Sequence, residues 1–231
     1  MPRAPMTLDE FREGFAKIKQ AGYVRSTRSG PTGIGHTFET LLGLAEDNIA
    51  LPDLGEVEVK TRRVNSSSMV TLFTFNRKVW RMKPLEAVKK YGTFDKNGRQ
   101  GLYFTMARTP TSTGLLLHIE AEDISVRHVS GEVVAVWNLE ALAQQFMKKI
   151  PALVLVSALS ELRGGVEWFN YTRAQLLTGT SSAILREQIL AGNVVVDLRL
   201  HDKGTRARNH GTGFRAHEDK LTFLFQTVIE L

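Results

Sequence analysis

An apolar run, PALVLVSAL, extends from Pro151 to Leu159 and constrains the fold more than any other feature of the sequence. It holds no charged side chain, so a strand built from it is suited to the interior of a sheet, covered on both faces. Helical and strand patterns occur around it in mixed order, without the strict alternation of a doubly wound sheet. We therefore expect a mixed α/β (α+β) chain in which helices flank a core sheet.

Two helices are predicted near the N-terminus. Thr7 and Glu10 match a capping box, in which a hydroxyl and a carboxylate three residues later satisfy the first backbone N–H groups of a helix. The apolar residues that follow at helical spacing are Leu8, Phe11, Phe15 and Ile18. After a glycine-rich loop, the buried stripe of a second helix is predicted to be Phe38, Leu41, Leu42 and Ala45.

The later part of the chain is predicted to contain further strands. Asn97-Gly98 is typical of the tight turn of a hairpin. The segment NVVVDLRL, Asn193 to Leu200, predicts another strand. We expect the segment HDKGTRARNHGTGFR to form a long basic loop after it.

Charge and composition restrict the function. The 231-residue chain has 30 Lys and Arg against 24 Asp and Glu, a formal net charge of +6, which favours a polyanionic partner such as nucleic acid. Cysteine is absent, which excludes disulfides, thiolate zinc sites and cysteine nucleophiles and agrees with a reducing cytoplasm. No apolar run approaches the roughly 18 residues of a membrane span, so we expect a cytoplasmic protein without membrane contact.

The segment LPDLGEVEVKTRR, Leu51 to Arg63, alternates apolar and charged residues. Side chains of a strand alternate between two faces, so Val57 and Val59 would be buried together. The charged residues of the other face would be Glu56, Glu58 and Lys60. Surface strands of many soluble proteins carry such pairs, so the spacing alone favours a solvated sheet edge.

The same segment also suits metal-dependent cleavage of a phosphodiester. A bend at Leu54-Gly55 would bring Asp53 beside Glu58, and two carboxylates can hold Mg²⁺ through oxygen. The metal would polarise the scissile phosphate and acidify a bound water, while Lys60 would steady that water and the developing charge. The basic chain and the nearby cationic segments add support to this interpretation, but the residues alone leave both alternatives open.

Four segments occur together in a specific order: TGIGHTFETLLG, EDNIALPDLGEVEVKT, VTLFTF and NHGTGFR. In this combination the chain resembles the MvaI/BcnI family of type II restriction endonucleases, a family of the PD-(D/E)xK nuclease superfamily related to the MutH mismatch-repair nickase. The resemblance runs from about Gly33 to Thr74 and returns near Val194 to Arg215. It implies a restriction-endonuclease-like, MutH-like core sheet flanked by helices, and one endonuclease domain over residues 1–231 with a catalytic and a DNA-recognition lobe.

The resemblance also implies a catalytic centre. Asp53 and Glu58 would be the ligands of Mg²⁺, and Lys60 would be the catalytic lysine. Glu39, on the second predicted helix, matches an additional acidic residue of the family near the metal site.

On the DNA side, the resemblance implies that His210 and Arg215 reach the bases of double-stranded DNA. Arginine suits the paired acceptors of guanine in the major groove. Lys203, Arg206 and Arg208 would neutralise phosphates, which fixes the register of the protein without reading sequence.

Thr74 and Gly213 occupy two positions at which BcnI-like members of the family carry histidines that touch the central base pair. The segments TLFT and HGTGF instead resemble the MvaI-like branch, which implies a CCWGG site (W is A or T) rather than CCSGG. The family further implies a monomer with one active site that nicks the two strands in turn. Relatives also occur as catalytic modules fused to an effector DNA-binding domain, so the resemblance allows this chain to be such a module of a longer protein.

The leading hypothesis is therefore a Mg²⁺-dependent endonuclease that cuts duplex DNA at a CCWGG-like site. A MutH-like strand-specific nickase would use the same chemistry, but the HGTGFR segment argues against it. A basic DNA-binding module without catalysis is the third hypothesis, and the complete set of Asp53, Glu58 and Lys60 disfavours it.

Overall fold

A computed structural model describes residues 6–43, 48–51, 55–64, 66 and 68–231 of the chain. The helices are α1 (Leu8–Gln20), α2 (Gly33–Leu42), α3 (Pro84–Tyr91), α4 (Leu139–Lys149) and α5 (Ser182–Leu190), with a 3-10 helix at Glu218–Leu224. The strands are β1 (Met6–Thr7), β2 (Tyr23–Arg25), β3 (Asn48–Leu51), β4 (Gly55–Arg63), β5 (Met69–Thr74), β6 (Thr93–Phe94), β7 (Gln100–Met106), β8 (Leu115–Ile119), β9 (Asp123–His128), β10 (Val133–Asn138), β11 (Ala152–Arg163), β12 (Val166–Thr178), β13 (Val194–Asp202), β14 (Ala207–Asn209), β15 (Gly213–His217) and β16 (Thr227–Glu230). Helices and strands follow one another in mixed order, which confirms the predicted α/β class.

The chain divides into two compact units. The first unit consists of Met1–Ser68, Ile150–Gly179 and Phe225–Leu231. The second unit consists of Met69–Lys149 and Thr180–Leu224. The expectation of a single domain with a catalytic and a DNA-recognition lobe stays a prediction. Among the described residues, no helix is long and apolar enough to cross a membrane.

The first unit is built on a sheet with strand order β1-β3-β4-β11-β12-β16, in which β2 also pairs with β12. β11 contains the apolar run of the sequence, and it lies between the parallel strand β4 and the antiparallel strand β12. The successive residues Val154 and Leu155 point to opposite faces of the sheet, and both are buried. The prediction of an interior strand is therefore confirmed.

Helix α1 begins as the capping box predicts. The Thr7 hydroxyl oxygen accepts the N–H of Glu10 at 3.2 Å, and the Glu10 carboxylate accepts the N–H of Thr7 at 2.7 Å. These reciprocal bonds satisfy backbone donors that have no partner inside the helix, which fixes where the helix starts.

An aromatic cluster joins α1 and α2 to the sheet. Phe11 and Phe15 pack against Phe38, with ring centroids 6.1 to 6.4 Å apart. Phe38 in turn lies 5.0 Å from the ring of Tyr171 on β12, and the Tyr171 hydroxyl donates a 2.7 Å hydrogen bond to the carbonyl oxygen of Ile34. Burial raises the pKa of the Tyr171 hydroxyl, which therefore stays protonated as a donor. The cluster anchors α2 beside β4.

The prediction that Leu41 of α2 is buried was wrong. Phe38 and Leu42 are buried, but Leu41 is 44% exposed. The buried side of the helix runs through Phe38 and Leu42, so Leu41 lies at its border. The helix then ends at Gly43, whose φ of 71° is the left-handed conformation that glycine adopts readily. Ala45, the last residue of the predicted stripe, lies outside the described residues.

The second unit is built on a sheet with strand order β5-β15-β13-β7-β6, and β14 also pairs with β13. On one face of β13, Val196, Leu198 and Leu200 are buried. Phe214 lies opposite Val196 on β15, and Trp137 of β10 packs edge-on against Phe214 with ring centroids 5.7 Å apart. β10 belongs to a smaller sheet of order β10-β9-β8 in the same unit.

The hairpin predicted at Asn97-Gly98 joins β6 to β7. Gly98 has a φ of 71°, and the Asp95 carboxylate accepts the N–H groups of Asn97 and Arg99 at 2.8 and 3.0 Å. The side chain of Asp95 thus holds the turn that the Asn-Gly pair predicts, and this prediction is confirmed.

The predicted basic loop at the C-terminal side is mostly strand, so that expectation was wrong. β13 continues to Asp202, β14 returns beside its end, and β15 pairs with its first half. The backbone groups of the basic segment find their partners in β13, and this pairing is not visible in the local composition of the segment. The turn between β13 and β14 is short and exposed, and a 2.9 Å hydrogen bond from the Lys203 N–H to the Arg206 carbonyl oxygen closes it.

Phe38→Ala is expected to lower the free energy of unfolding by about 3–5 kcal/mol, because the deletion leaves a cavity among buried rings. Leu41→Ala is the matched control on the same helix, and at an exposed position we expect a change within about 0.5 kcal/mol. Urea unfolding followed by circular dichroism measures both values. An equal loss in the two variants would contradict the packing of α2.

Candidate active site and nucleic-acid interface

Glu58 and Lys60 come together on β4. The Lys60 ammonium donates a short hydrogen bond to Glu58 Oε1. The side chain of Lys60 is 30% exposed and that of Glu58 is 40% exposed. Val57 and Val59 are buried on the opposite face of the strand, as the alternation predicted. The strand therefore presents an acid and a lysine side by side on its accessible face.

The accessible face of β4 offers a carboxylate oxygen, which is the type of ligand that suits a magnesium ion. Glu58 uses only Oε1 for Lys60, so Oε2 has no hydrogen-bond partner among the described residues. Mg²⁺ prefers hard oxygen ligands and is commonly bound by one or two carboxylates together with water. Asp53, the second predicted ligand, lies outside the described residues. Within the described ranges, no three His, Cys, Asp or Glu side chains cluster as a metal site.

Glu39 reaches β4 from α2. Its Oε1 lies 3.3 Å from the position that a Cβ on Gly35 would occupy, and the Thr61 hydroxyl lies 3.4 Å from the same position. Thr61 directly follows Lys60 but belongs to the face of Val57 and Val59, by the alternation of the strand. The helix thus places Glu39 next to β4, on the opposite side from the contact between Glu58 and Lys60.

Two arginines at the end of β4 are held by protein groups. Arg63 forms a bidentate pair with Glu167 of β12, at 2.6 and 2.8 Å, and also donates to the carbonyl oxygen of Pro31 at 3.2 Å. Arg62 donates to the hydroxyl of Ser157 at 3.0 Å. Because Pro31 precedes α2, the contacts of Arg63 tie the start of that helix to the sheet.

A buried carboxylate organises the polar face of the second unit. Asp197 on β13 is only 8% exposed at its side chain, and its face of the strand is opposite to that of Val196 and Leu198. It accepts hydrogen bonds from the Thr105 hydroxyl at 2.7 Å, from Arg199 at 2.7 Å and from Arg215 at 3.0 Å. Burial alone would raise the pKa of this carboxyl, but the hydroxyl and the two guanidinium groups outweigh burial and hold the pKa below its usual range.

Contacts within the second unit fix the side chain of Arg215. Besides its bond to Asp197, its guanidinium donates to the carbonyl oxygen of Met69 at 3.0 Å, and its side chain is 23% exposed. The buried Nε has no hydrogen-bond partner among the described residues. The guanidinium therefore has one preferred orientation, set by β13 and β5.

Two asparagine side chains hold the segment NHGTG, residues 209–213, which connects β14 to β15. Asn76 accepts the N–H of Thr212 at 2.9 Å, and Asn209 accepts the N–H of Gly211 at 2.8 Å. Gly211 has a φ of 109°, which only glycine adopts without strain, and a Cβ there would lie 3.2 Å from a methyl carbon of Thr74. The structure thus places Thr74, at the end of β5, directly against this segment.

The remaining predicted DNA contacts lie at the end of β13 and on β14. Lys203 and Arg206 are exposed in the turn between the two strands, and Arg208 is exposed on β14, opposite His201. His210 follows β14, and its N–H donates to the carbonyl oxygen of Arg199 at 2.8 Å. The basic residues predicted as DNA contacts are therefore gathered on one edge of the second unit together with His210.

Sequence reasoning missed several polar residues of this face. These are Tyr103, Thr105, Asp197, Arg199 and His201. The signal was present in VVVDLRLHD, where Asp, Arg and His alternate with leucines, the same pattern that singled out β4.

A sequence model of the MvaI/BcnI restriction endonuclease family matches residues 12–225. The chain belongs to the MvaI/BcnI family. The restriction endonuclease MvaI in complex with cognate DNA substrate is similar, with a TM-score of 0.67 and 26% identity over 96% of this chain and 97% of that chain. MvaI in the absence of DNA has a TM-score of 0.62 and 26% identity, over 99% of this chain and 100% of that chain. Among curated proteins, no sequence matches significantly.

Membership of the MvaI/BcnI family confirms the restriction-endonuclease-like fold and the enzyme class, a type II site-specific deoxyribonuclease. The family match also covers the middle of the chain, between the two stretches that carried the resemblance. Restriction endonucleases of this kind generally use a divalent metal ion. The roles of individual residues stay predictions.

Asp197 is expected to make the stability of this MvaI/BcnI-family chain depend on pH. Its pKa in the folded state lies below the unfolded value of about 3.9. It therefore contributes stability above that value, and the contribution is lost as the pH falls through the folded pKa. In urea unfolding, the stability difference between wild type and Asp197→Asn should narrow below about pH 4. Glu187→Gln, at an exposed position of α5, is the control and should follow the wild type; a constant difference for Asp197→Asn would contradict the assignment.

Proposed function

We propose that this enzyme hydrolyses duplex DNA at a CCWGG-like site with Mg²⁺, as a monomer that nicks the two strands in turn. The observation that carries the proposal is the contact between Glu58 and Lys60 on the accessible face of β4. In a family of restriction endonucleases, this pair of an acid and a lysine is the part of the chain suited to metal-dependent cleavage of a phosphodiester.

In the proposed centre, Asp53 and Glu58 would hold Mg²⁺ through their carboxylate oxygens. When bound, the ion would polarise the scissile phosphate and lower the pKa of a bound water molecule. The contact with Glu58 keeps the Lys60 ammonium within reach of whatever that carboxylate binds, so Lys60 would hydrogen-bond the attacking water and stabilise the developing charge. Glu39 lies next to Thr61, on the opposite face of β4 from Glu58 and Lys60, so its role in catalysis rests on the family resemblance alone and we do not propose it as a ligand of this ion.

Arg215 is proposed to read guanine. Asp197 and the carbonyl oxygen of Met69 hold its guanidinium, so the planar fork is oriented before DNA binds. Such a fork matches O6 and N7 of guanine in the major groove. His210 would contact a second base edge from the neighbouring segment. A site rich in C·G pairs agrees with this set of side chains.

The choice of CCWGG rests on Thr74 and Gly213. The two residues are direct partners in the pairing of β5 with β15, so side chains at these positions would meet the same part of the DNA. Neither is a histidine, and two similar solved structures are those of MvaI. Both observations support the MvaI-like branch.

Lys203, Arg206 and Arg208 are proposed to bind phosphates. All three are exposed, and none forms a salt bridge with a described residue. Cations of this kind supply affinity that depends on salt and not on sequence.

Lys60→Ala is expected to lower the cleavage rate at least about 100-fold, because the developing charge loses a preorganised donor. The assay is digestion of a supercoiled plasmid with Mg²⁺, in which wild type should give nicked circles before linear fragments, and EDTA should stop the reaction. Lys17→Ala, an exposed lysine of α1 in the same unit, is the control and should cut normally. Discrete cleavage by Lys60→Ala, or by wild type in EDTA, would refute the proposed centre.

Arg215→Gln is expected to weaken binding to the cognate duplex by about 1–3 kcal/mol and to relax the preference at one base pair. Arg206→Gln is the matched comparison, expected to weaken binding equally for all sequences and to reduce its dependence on salt. Fluorescence anisotropy with cognate and singly substituted duplexes, without Mg²⁺ and at several salt concentrations, measures both effects. Identical behaviour of the two variants would contradict the division into base and phosphate contacts.

A further inference from the structure

Three rings stack at the end of β13: Tyr103, His201 and His210. The centroid of His201 lies 6.4 Å from that of Tyr103 and 5.0 Å from that of His210, with interplanar angles of 18° and 24°. His201 Nδ1 is the common hydrogen-bonding atom, 3.0 Å from the Tyr103 hydroxyl oxygen and 3.1 Å from His210 Nε2. His201 is 5% exposed, whereas Tyr103 is 51% exposed and His210 is also exposed.

The pairing of β7 with β13 creates this stack. Gly101 lies directly opposite His201, and Tyr103 is its diagonal neighbour on the same face. Because Gly101 has no side chain, the Tyr103 ring can lean across it; a Cβ at Gly101 would lie 2.6 Å from Cδ2 of that ring. The Tyr103 hydroxyl thereby reaches the buried histidine.

The surroundings of His201 favour its neutral form. Burial lowers the pKa of its imidazole, and the surrounding cations lower it further. The charged or titratable groups that act on it in this way are Lys203, His210, Arg99 and Arg208. A neutral imidazole carries one proton, so His201 is a donor at one ring nitrogen and an acceptor at the other.

The buried environment decides which nitrogen of His201 carries the proton. Nε2 is buried and has no hydrogen-bond partner among the described residues. A proton on Nε2 would leave a buried N–H unpaired. A proton on Nδ1 leaves only a lone pair at Nε2, and the single Nδ1–H is then directed at His210 Nε2 and the Tyr103 hydroxyl oxygen, both of which can accept. Buried unpaired N–H groups are the rarer and costlier case, so the proton belongs on Nδ1.

We infer that His201 is a positioning residue that fixes the tautomer of His210. His201 Nδ1–H donates to His210 Nε2, so a neutral His210 carries its own proton on Nδ1. The two ring planes differ by only 24°, so the hydrogen bond between the ring nitrogens can lie close to both planes and hold His210 in this orientation. His210 then presents a donor at the nitrogen that His201 does not contact, and this nitrogen has no hydrogen-bond partner among the described residues.

The consequence for DNA reading rests on the proposed function. A donor at His210 matches acceptors such as guanine N7 and O6, or thymine O4, and rejects the amino groups of adenine and cytosine. The buried His201 would thus set the base preference of a residue that it holds, without touching DNA. Tyr103 completes the stack, but its hydroxyl is not required for the donation from His201 to His210.

The direct test is nitrogen NMR of the histidine-labelled protein without DNA, which distinguishes protonated from unprotonated ring nitrogens. At a pH where the histidines are neutral, both His201 and His210 should be protonated at Nδ1 and unprotonated at Nε2. A proton on His210 Nε2 would overturn the inference. This measurement does not depend on cleavage, so it stands or fails separately from the proposed function.

Variants test the effect on recognition. His201→Asn places an amide donor close to the position of Nδ1 and should keep the preference for the cognate duplex, whereas His201→Gln places its amide nearer to Nε2 and should reduce that preference about five- to tenfold, the worth of one hydrogen bond. Tyr103→Phe is the control and should keep both tautomer and preference. The readout is the ratio of kcat/KM for the cognate duplex and for a duplex with one substituted base pair. Equal ratios for His201→Asn and His201→Gln, with both variants folded by circular dichroism, would overturn the role of His201 in recognition.

Discussion

The alternation of side chains along β4 and β13 is the constraint on which the rest of the structure depends. Each strand buries its apolar residues on one face, Val57 and Val59 in β4 and the leucines of β13, and this burial fixes the register. The polar residues in between are thereby directed to the other face. A shift of one residue would bury Glu58 and Lys60, so the packing that stabilises each unit also positions its chemistry.

Asp197 illustrates the same coupling inside the second unit. A buried carboxylate is costly unless it is paired and hydrogen-bonded, and two arginines together with Thr105 meet that requirement. In return, the carboxylate holds Arg215 in one orientation. Besides its pH-dependent contribution to stability, the ion pair therefore fixes a guanidinium where direction matters. In the inference drawn above, His201 acts in the same way as a neutral group, because this buried ring fixes the tautomer of the exposed His210.

Local patterns predicted the local features. The capping box of α1, the Asn97-Gly98 turn, the interior strand β11 and the contact between Glu58 and Lys60 all follow from spacing within a few residues. The features that the sequence did not predict depend on residues far apart in the chain. Thr105 and Asp197 are 92 residues apart in the chain, and the strands of the basic segment exist because β13 lies beside them. The resemblance to the MvaI/BcnI family supplied the role of Glu39, which spacing alone does not assign.

Sequencing the ends of plasmid fragments made by the protein with Mg²⁺ tests the central claim most directly. The claim is that one strand, β4, carries the cleavage chemistry and another, β13, with its neighbours, carries the reading of DNA. If so, all ends fall within one short sequence of the CCWGG type, at a fixed position. Ends scattered over unrelated sequences, or an absence of fragments, would contradict it.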